Sequence, residues 1–148
     1  AVLHTHMPYA TALTLIEDGR LEMCEQNALA FDGRIAYDDD YEGLALDREE
    51  GDRLAAKIGN RAVLFMASHG IVVIGGDVGE AFSALYYLER AAMFQVLARS
   101  TGGTLRTISD RVRERARQQF ADERPKVAVR HFAALKRILD REEPEYRT

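Results

Sequence analysis

The sequence is poor in features that define several classes of protein. It contains a single cysteine, Cys24, among 148 residues. One thiol cannot form an intrachain disulfide or a Cys-x-x-Cys site, and this scarcity is typical of a reducing compartment. No apolar run reaches the ~18 residues that a membrane span needs, and the N-terminus lacks the basic and apolar regions of a signal peptide. These absences predict a soluble, cytoplasmic protein.

Charge of one sign is also scarce. The 20 basic and 24 acidic residues give a formal net charge of −4 and are spread along the chain. Such a distribution disfavours binding to nucleic acid or to an anionic membrane. An apolar content of 47% over this length suffices for one core but not for two. We therefore predict one domain over residues 1–148.

The chain begins without an initiator methionine and enters an apolar, strand-like run at once, from Val2. Domains usually begin with polar, mobile residues, because a buried strand at an extreme terminus has nothing before it to cover its ends. We therefore expect the domain to be truncated at its N-terminus.

Hydrophobic spacing predicts an α/β domain in which strands and helices alternate. An Asp77-x-x-Glu80 pattern after Gly75-Gly76 resembles a capping box and predicts the start of a long helix. The predicted strands are 2–6, 62–67 and 71–74, with weaker candidates at 21–24 and 34–37. The runs 62–67 and 71–74 are either two buried strands or one strand with a bend between them. The predicted helices run from Pro8 to Asp18-Gly19 and over 47–59, 78–100, 109–122 and 125–140, the last two within a C-terminal region of about 107–143.

The pair His4-Thr5-His6 is the sharpest chemical signal. Alternate residues of a strand point to the same face, so two imidazoles at i and i+2 can converge on one ion, with Thr5 facing away. A catalytic zinc site needs a third protein ligand. His69 follows a buried apolar run and precedes a glycine that permits a sharp turn, whereas His131 lies in a predicted helix and is expected at the surface. Spacing alone leaves open an ordinary strand that contains two histidines.

Two sequence blocks strengthen the metal hypothesis. Residues 2–13, VLHTHMPYATAL, resemble the His-x-His block of the class II aldolase/adducin family. Residues 62–75, AVLFMASHGIVVIG, with GEAF at 79–82, resemble its His-Gly block. The two blocks have the family's order and approximate separation, and the resemblance covers roughly residues 1–100. The C-terminal helix resembles that of the longer, adducin-like bacterial members.

The resemblance implies the site and the chemistry. The family's three metal ligands fall on His4, His6 and His69, and zinc suits three neutral imidazoles, although other divalent metals also bind such sites. It further implies a three-layer α/β/α domain with a predominantly antiparallel sheet, commonly a homotetramer. The expected function is a metal-dependent aldolase-type lyase that acts on a small hydroxy-carbonyl substrate through a metal-stabilised enediolate. The alternatives are a non-catalytic adducin-head-like interaction module and a sugar-phosphate epimerase or dehydratase.

The sequence departs from the family at the acid/base position. The phosphate loops and the catalytic carboxylate of phosphate-specific members precede the His-x-His block, where this chain has no residues. The tyrosine acid of the aldolases falls near Glu25 or Gln26, so that tyrosine is absent. No catalytic acid or base is assigned, and we expect the chain alone to be a poor catalyst.

Four further patterns have simple structural explanations. The glycines at 70, 75, 76 and 79 lack the lysine of a phosphate loop and are explained by turn geometry. The acidic run 38–40 lacks the alternating ligands of a calcium loop and is expected to form a solvated turn. The arginines at 111, 113, 115 and 117 are scattered around a predicted helix, as on a solvated face. Cys24 has no neighbouring histidine in the sequence and is expected to be structural or partly exposed.

Overall fold

The computed structural model describes residues 1–44 and 48–147. Its four strands form one mixed sheet in the order β1-β4-β3-β2. Strand β4 pairs antiparallel with both β1 and β3, whereas β2 pairs parallel with β3. The strands are β1 (Val2–Thr5), β2 (Ile35–Asp38), β3 (Val63–Met66) and β4 (Gly70–Ile74).

Helices pack on both faces of this sheet. On one face a large core joins Leu13, Phe31 and Leu88 to Phe65 of β3. On the other face Ile58 packs against Leu64 and its neighbours. All four residues of β3 are buried, which explains its uninterrupted apolar run. The helices are α1 (Pro8–Thr14), α2 (Gln26–Leu29), α3 (Arg48–Ile58), α4 (Val78–Ser100) and α5 (Asp110–Glu142), followed by a 3₁₀ helix (Pro144–Arg147).

The predicted start of the long helix is confirmed in detail. The Asp77 side chain accepts a hydrogen bond from the backbone N–H of Glu80 at 2.7 Å, and the helix α4 begins at Val78. The Glu80 carboxylate in turn accepts from the N–H of Gly76 at 2.9 Å. The two side chains therefore satisfy N–H groups that a helix start leaves without partners.

The prediction for residues 20–46 is partly wrong. No strand forms at 21–24; instead the short helix α2 follows, and its start is capped by Glu25, which accepts from the N–H groups of Asn27 and Ala28 at 2.8 and 2.6 Å. Four residues are too few for hydrophobic periodicity to indicate a helix. Helix α1 also ends earlier than predicted, at Thr14. The predicted start of the next helix, Asp47, lies outside the described residues.

The C-terminal region forms one helix, not the two that were predicted. Helix α5 continues through Pro125, which was assigned to the start of a second helix. Proline lacks an N–H and crowds the preceding turn, at a cost of roughly 3 kcal/mol in a helix interior. Contacts on both sides of Pro125 offset this cost: Arg113 binds Asp32, and His131 lies 3.2 Å from the Ser83 hydroxyl. Among the described residues, no helix is long and apolar enough to cross a membrane.

Candidate metal centre

The first two histidines lie at the edge of the sheet formed by β1. His4 pairs with Val72 of β4, and His6 follows the strand directly. Because strand side chains alternate, the two imidazoles project on the same side, and both are exposed. The two imidazoles thus lie on the same face, as the i, i+2 spacing predicts.

The third histidine lies in the tight turn that joins β3 to β4. The turn backbone is held at two further points, because Ala67 N–H donates to the carbonyl of Asp38 at 2.8 Å and Ser68 N–H donates to that of Thr14 at 2.9 Å. Ser68 has a positive φ of 55°, a conformation that is unfavourable for residues other than glycine. Hydrogen bonds from this turn to two other elements stabilise that conformation and fix the backbone at His69.

Gly70 permits the close approach of the two histidine segments. A Cβ atom at this position would lie 2.5 Å from Cδ2 of His6 and 2.8 Å from the backbone oxygen of Thr5. Both distances are shorter than van der Waals contact. The gap between β1 and the turn therefore has no room for a side chain at position 70, and any residue other than glycine would displace the His6 ring.

The structure brings the three predicted ligands together. The ring centroids of His4, His6 and His69 are 4.9–5.0 Å apart. One ring nitrogen from each lies within 4.8 Å of the other two. Zinc–nitrogen bonds of ~2.1 Å place two nitrogen ligands of one ion at most about 4.2 Å apart. Small rotations of the rings would bring the three nitrogens within that distance. His4 and His6 are exposed and His69 is partly exposed, so the three imidazoles leave a position open for a further ligand.

Hydrogen bonding and electrostatics also suit a metal. His4 Nδ1 lies 2.9 Å from the carbonyl of Ile71. A carbonyl can only accept, so Nδ1 carries the proton and Nε2 keeps its lone pair for an ion. Burial lowers the pKa of His69, and the neighbouring His4 and His6 lower it further. The neutral imidazole, which is the form that binds metals, is therefore favoured.

A polar region adjoins the His69 side of the triad, and the sequence did not indicate it. The ring of Tyr41 lies 6.1 Å from that of His69. Asp38 lines the same pocket as Tyr41 and His69, and its buried carboxylate accepts two hydrogen bonds from Arg53, at 2.9 and 2.7 Å. Burial alone would raise the pKa of Asp38, but Arg53 and Lys57 together lower it. Asp38 was predicted to lie in a solvated turn; instead it ends β2 and anchors α3.

The remaining candidates from the sequence have structural roles. Glu25, the family-position candidate for an acid, caps α2. Burial raises the pKa of the Cys24 thiol, so its reactive thiolate is disfavoured. His131 is half-buried, not at the surface, and packs against Tyr86 with a centroid distance of 4.9 Å. The half-buried position of His131 follows from contacts with α4 that local spacing does not show.

Two arginines of the predicted solvated face are also engaged. Arg113 donates to both oxygens of the buried Asp32, at 3.0 and 2.7 Å, and Arg117 donates to one of them at 3.2 Å. The Arg113 hydrogen bond is the largest cause of the lowered pKa of Asp32. These bonds attach the first half of α5 to the segment after α2. Arg111 and Arg115 are exposed, as predicted.

Comparison with known proteins agrees with the geometry. The family profile described as the class II aldolase and adducin N-terminal domain matches residues 1–96. An aldolase class 2 protein of Pseudomonas aeruginosa is 33% identical over 99% of this chain. An adducin-related protein of Schizosaccharomyces pombe is 26% identical over the whole chain. A solved structure of an aldolase II superfamily protein from Pseudomonas syringae has a TM-score of 0.89 and 36% identity over 99% of this chain.

The chain spans about half the length of these relatives. It covers 57% of the Pseudomonas aeruginosa protein, 47% of the Schizosaccharomyces pombe protein and 59% of the solved Pseudomonas syringae chain. The similarity therefore concerns the part of each relative that corresponds to this chain.

Proposed function

Because the chain belongs to the class II aldolase and adducin family, we propose that it provides the metal centre of an aldolase-type lyase for small hydroxy-carbonyl compounds. The observation that supports this most is the convergence of His4, His6 and His69, whose ring nitrogens lie within 4.8 Å of one another. His4 and His6 are exposed, so packing does not explain why they lie beside the half-buried His69, and the mutual repulsion of protonated imidazoles disfavours such an arrangement.

The donor set fits zinc. Three neutral nitrogen ligands with one open position are the arrangement of catalytic zinc sites, although imidazole also suits other transition metals. When bound, such an ion polarises a carbonyl group as a Lewis acid. The proposal includes a homotetramer and a three-layer fold whose sheet is predominantly antiparallel in the whole protein.

The residues of this chain would prepare the centre for that chemistry. Ile71 orients the ring of His4 through its carbonyl oxygen, and the backbone bonds of the turn hold His69. Pre-organised ligands reduce the free energy needed to assemble a site around an ion. Tyr41, whose ring contacts that of His69, is a candidate for donating a proton to a substrate held at the open position.

A retro-aldol assay over a panel of hydroxy-carbonyl compounds tests the proposal. It should compare this chain and a version extended upstream, each loaded with zinc, with His69→Gln as the test variant. His131→Gln is the matched control, because His131 contacts Ser83 and the aromatic residues of α4 instead of the triad. We expect activity in the extended protein that His69→Gln abolishes and His131→Gln preserves, with much weaker activity in the short chain.

Two outcomes would overturn parts of this proposal. If His69→Gln leaves the extended protein fully active, the metal mechanism is wrong. If the short chain matches the extended one, its own groups suffice for proton transfer, and Tyr41→Phe should then reduce the rate by about 10²-fold or more.

The alternative from a different class is an adducin-head-like interaction module. The adducin-related relative supports it, since that protein matches the whole of this chain. A module without catalysis has no need for three converging imidazoles, so we rank it second. The epimerase or dehydratase alternative uses the same centre, and product analysis in the same assay distinguishes it.

A further inference from the structure

A cavity with a volume of about 230 Å³ lies between α2, α4 and α5, away from the histidine triad. None of the three histidines lines it. A volume of this size corresponds to roughly eight water molecules, at ~30 Å³ each. It is therefore large enough for a small organic molecule. Its walls are mainly apolar and include Ala30, Phe31, Ala84, Tyr87, Phe120 and Val127.

Two arginines, Arg34 and Arg124, line the same cavity. The Nε of Arg124 is buried and has no hydrogen-bond partner in the described part of the chain. Within the described residues the Arg34 guanidinium makes one hydrogen bond, a long one of 3.3 Å to the carbonyl of Ala30. Buried polar groups nearly always have partners, so an unpaired donor of a charged group requires an explanation.

Neither arginine makes a direct ion pair with a carboxylate among the described residues. Burial lowers the pKa of Arg34 to about 10, and the charge of Arg124 adds to this effect, with only Glu80 opposing it. Two like charges are thus held near each other in a partly apolar space, which is unfavourable unless an anion joins them.

The two carboxylates of the cavity are engaged by other groups. Glu80 accepts the N–H of Gly76 at the start of α4. Glu123 pairs with Lys126 at 2.7 Å and lies 3.9 Å from Arg130. Neither makes an ion pair with Arg34 or Arg124 among residues 1–44 and 48–147. The cavity therefore offers two guanidinium groups and no competing protein anion bound to them.

We propose that this cavity binds a small organic carboxylate with a flat apolar body. The carboxylate would accept hydrogen bonds from Arg124, whose planar group matches carboxylate geometry, and would neutralise the repulsion with Arg34. The apolar body would lie against Phe31, Tyr87 and Phe120. An inorganic anion would accept hydrogen bonds from the arginines but make no apolar contacts with these walls, so it should bind more weakly.

Calorimetric titration with 3-phenylpropionate in the presence of EDTA tests the proposal. EDTA removes metal, so the ligand cannot bind through an ion at the triad. We expect a dissociation constant of about 1 mM or tighter, from the affinity per atom that is usual for small ligands. The uncharged 3-phenylpropionamide and inorganic phosphate should each bind at least about tenfold more weakly. The amide lacks the negative charge that pairs with the arginines, and phosphate lacks the apolar body that packs against the walls.

Three variants locate the binding. Arg124→Gln should weaken it by about tenfold or more, the usual effect of losing a hydrogen bond to a charged group. Arg115→Gln is the matched control, since Arg115 is an exposed arginine of the same helix. His69→Gln should leave binding unchanged. Ala84→Leu would fill part of the cavity and should abolish binding while both arginines remain.

The stability of the ligand-free variant provides an independent measurement. Removal of a guanidinium whose Nε is buried without a partner should leave the melting temperature of Arg124→Gln unchanged or higher. If 3-phenylpropionate does not bind at 10 mM, if Arg124→Gln binds it as well as the wild type, or if His69→Gln abolishes binding, the proposal is wrong. A clear fall in the melting temperature of ligand-free Arg124→Gln would also contradict it, because the guanidinium would then have a structural partner.

Discussion

At the scale of single residues, the histidine triad depends on a residue without a side chain. Gly70 lies where a methyl group would meet the His6 ring and the backbone of Thr5. The three ligands thus remain close only because this position is empty. The geometry of the triad is set as much by Gly70 as by the histidines themselves.

We predict that Gly70→Ala weakens zinc binding by about tenfold or more while the fold is retained, an effect comparable to losing the groups that orient metal ligands. Competition with a chromophoric chelator measures the affinity. Gly51→Ala is the matched control, because a Cβ at Gly51 of α3 would meet nothing within 4 Å. That change should leave zinc affinity unaltered and stabilise the helix by roughly 0.5–1 kcal/mol. Equal zinc affinity in both variants would contradict the steric argument.

The three histidines can be predicted from the sequence more readily than the residues that surround them. The spacing of His4 and His6 and the His69-Gly70 pair are local patterns, so they are visible in the sequence. The roles of Asp38 and Tyr41 depend on contacts across the fold. Asp38 is 15 residues from its partner Arg53, and neither position has a local pattern that indicates an ion pair. Acidic runs are usually solvated, which made the expectation for Asp38 wrong.

At the scale of elements, α5 is the part that the sequence describes least well. Its charged residues suggest a solvated surface, yet Asp32 attaches it to the domain through Arg113 and Arg117. Proline at 125 suggests a break, yet the helix continues. Both errors arise because tertiary contacts outweigh local preference.

We predict that Asp32→Asn destabilises the chain by about 1–3 kcal/mol, since it weakens bonds to two arginines at a buried site. Chemical denaturation measures this, with the exposed Asp122→Asn as the control that should have little effect.

The effect of Asp32→Asn should also depend on pH, because the folded pKa of Asp32 is lowered from its ordinary value of 3.8. The contribution of the ion pair is therefore complete above the unfolded pKa and is lost as the pH falls through the lower folded value. The difference between variant and wild type should be constant near neutral pH and shrink below about pH 4; a difference that grows in acid would contradict this assignment.

We predict that Pro125→Ala stabilises the chain by about 2 kcal/mol. The change removes an interior-helix penalty of roughly 3 kcal/mol, and the greater freedom of the unfolded chain offsets up to about 1 kcal/mol of that gain. Thermal unfolding followed by circular dichroism measures both stability and helix content. Arg115→Ala on the same helix controls for a general effect of alanine. A lower melting temperature for Pro125→Ala would show that the proline has a favourable role in α5.

At the scale of the whole molecule, the exposed apolar surface supports self-association. Phe94 and Leu97 lie one turn apart on α4 and are 43% and 50% exposed. Large apolar side chains grouped on one helix face commonly mark an interface. This face is distinct from the triad, so assembly and metal binding can be tested separately.

We predict that the chain sediments as an oligomer at micromolar concentration. Leu97→Glu should shift it toward the monomer, because a charge in an apolar interface is unfavourable. Glu114→Gln, an exposed change on α5, is the control and should leave the association unaltered. A wild-type chain that sediments only as a monomer would rule out the proposed assembly through this face.

The metal content of the purified chain tests the central claim most directly. After zinc loading and removal of free ions, elemental analysis of the wild type and His131→Gln should give one zinc per chain, and His69→Gln should give almost none. The physical reason is that two remaining imidazoles are too few for a stable zinc site. A wild-type content near zero, or an equal content in His69→Gln, would contradict the account.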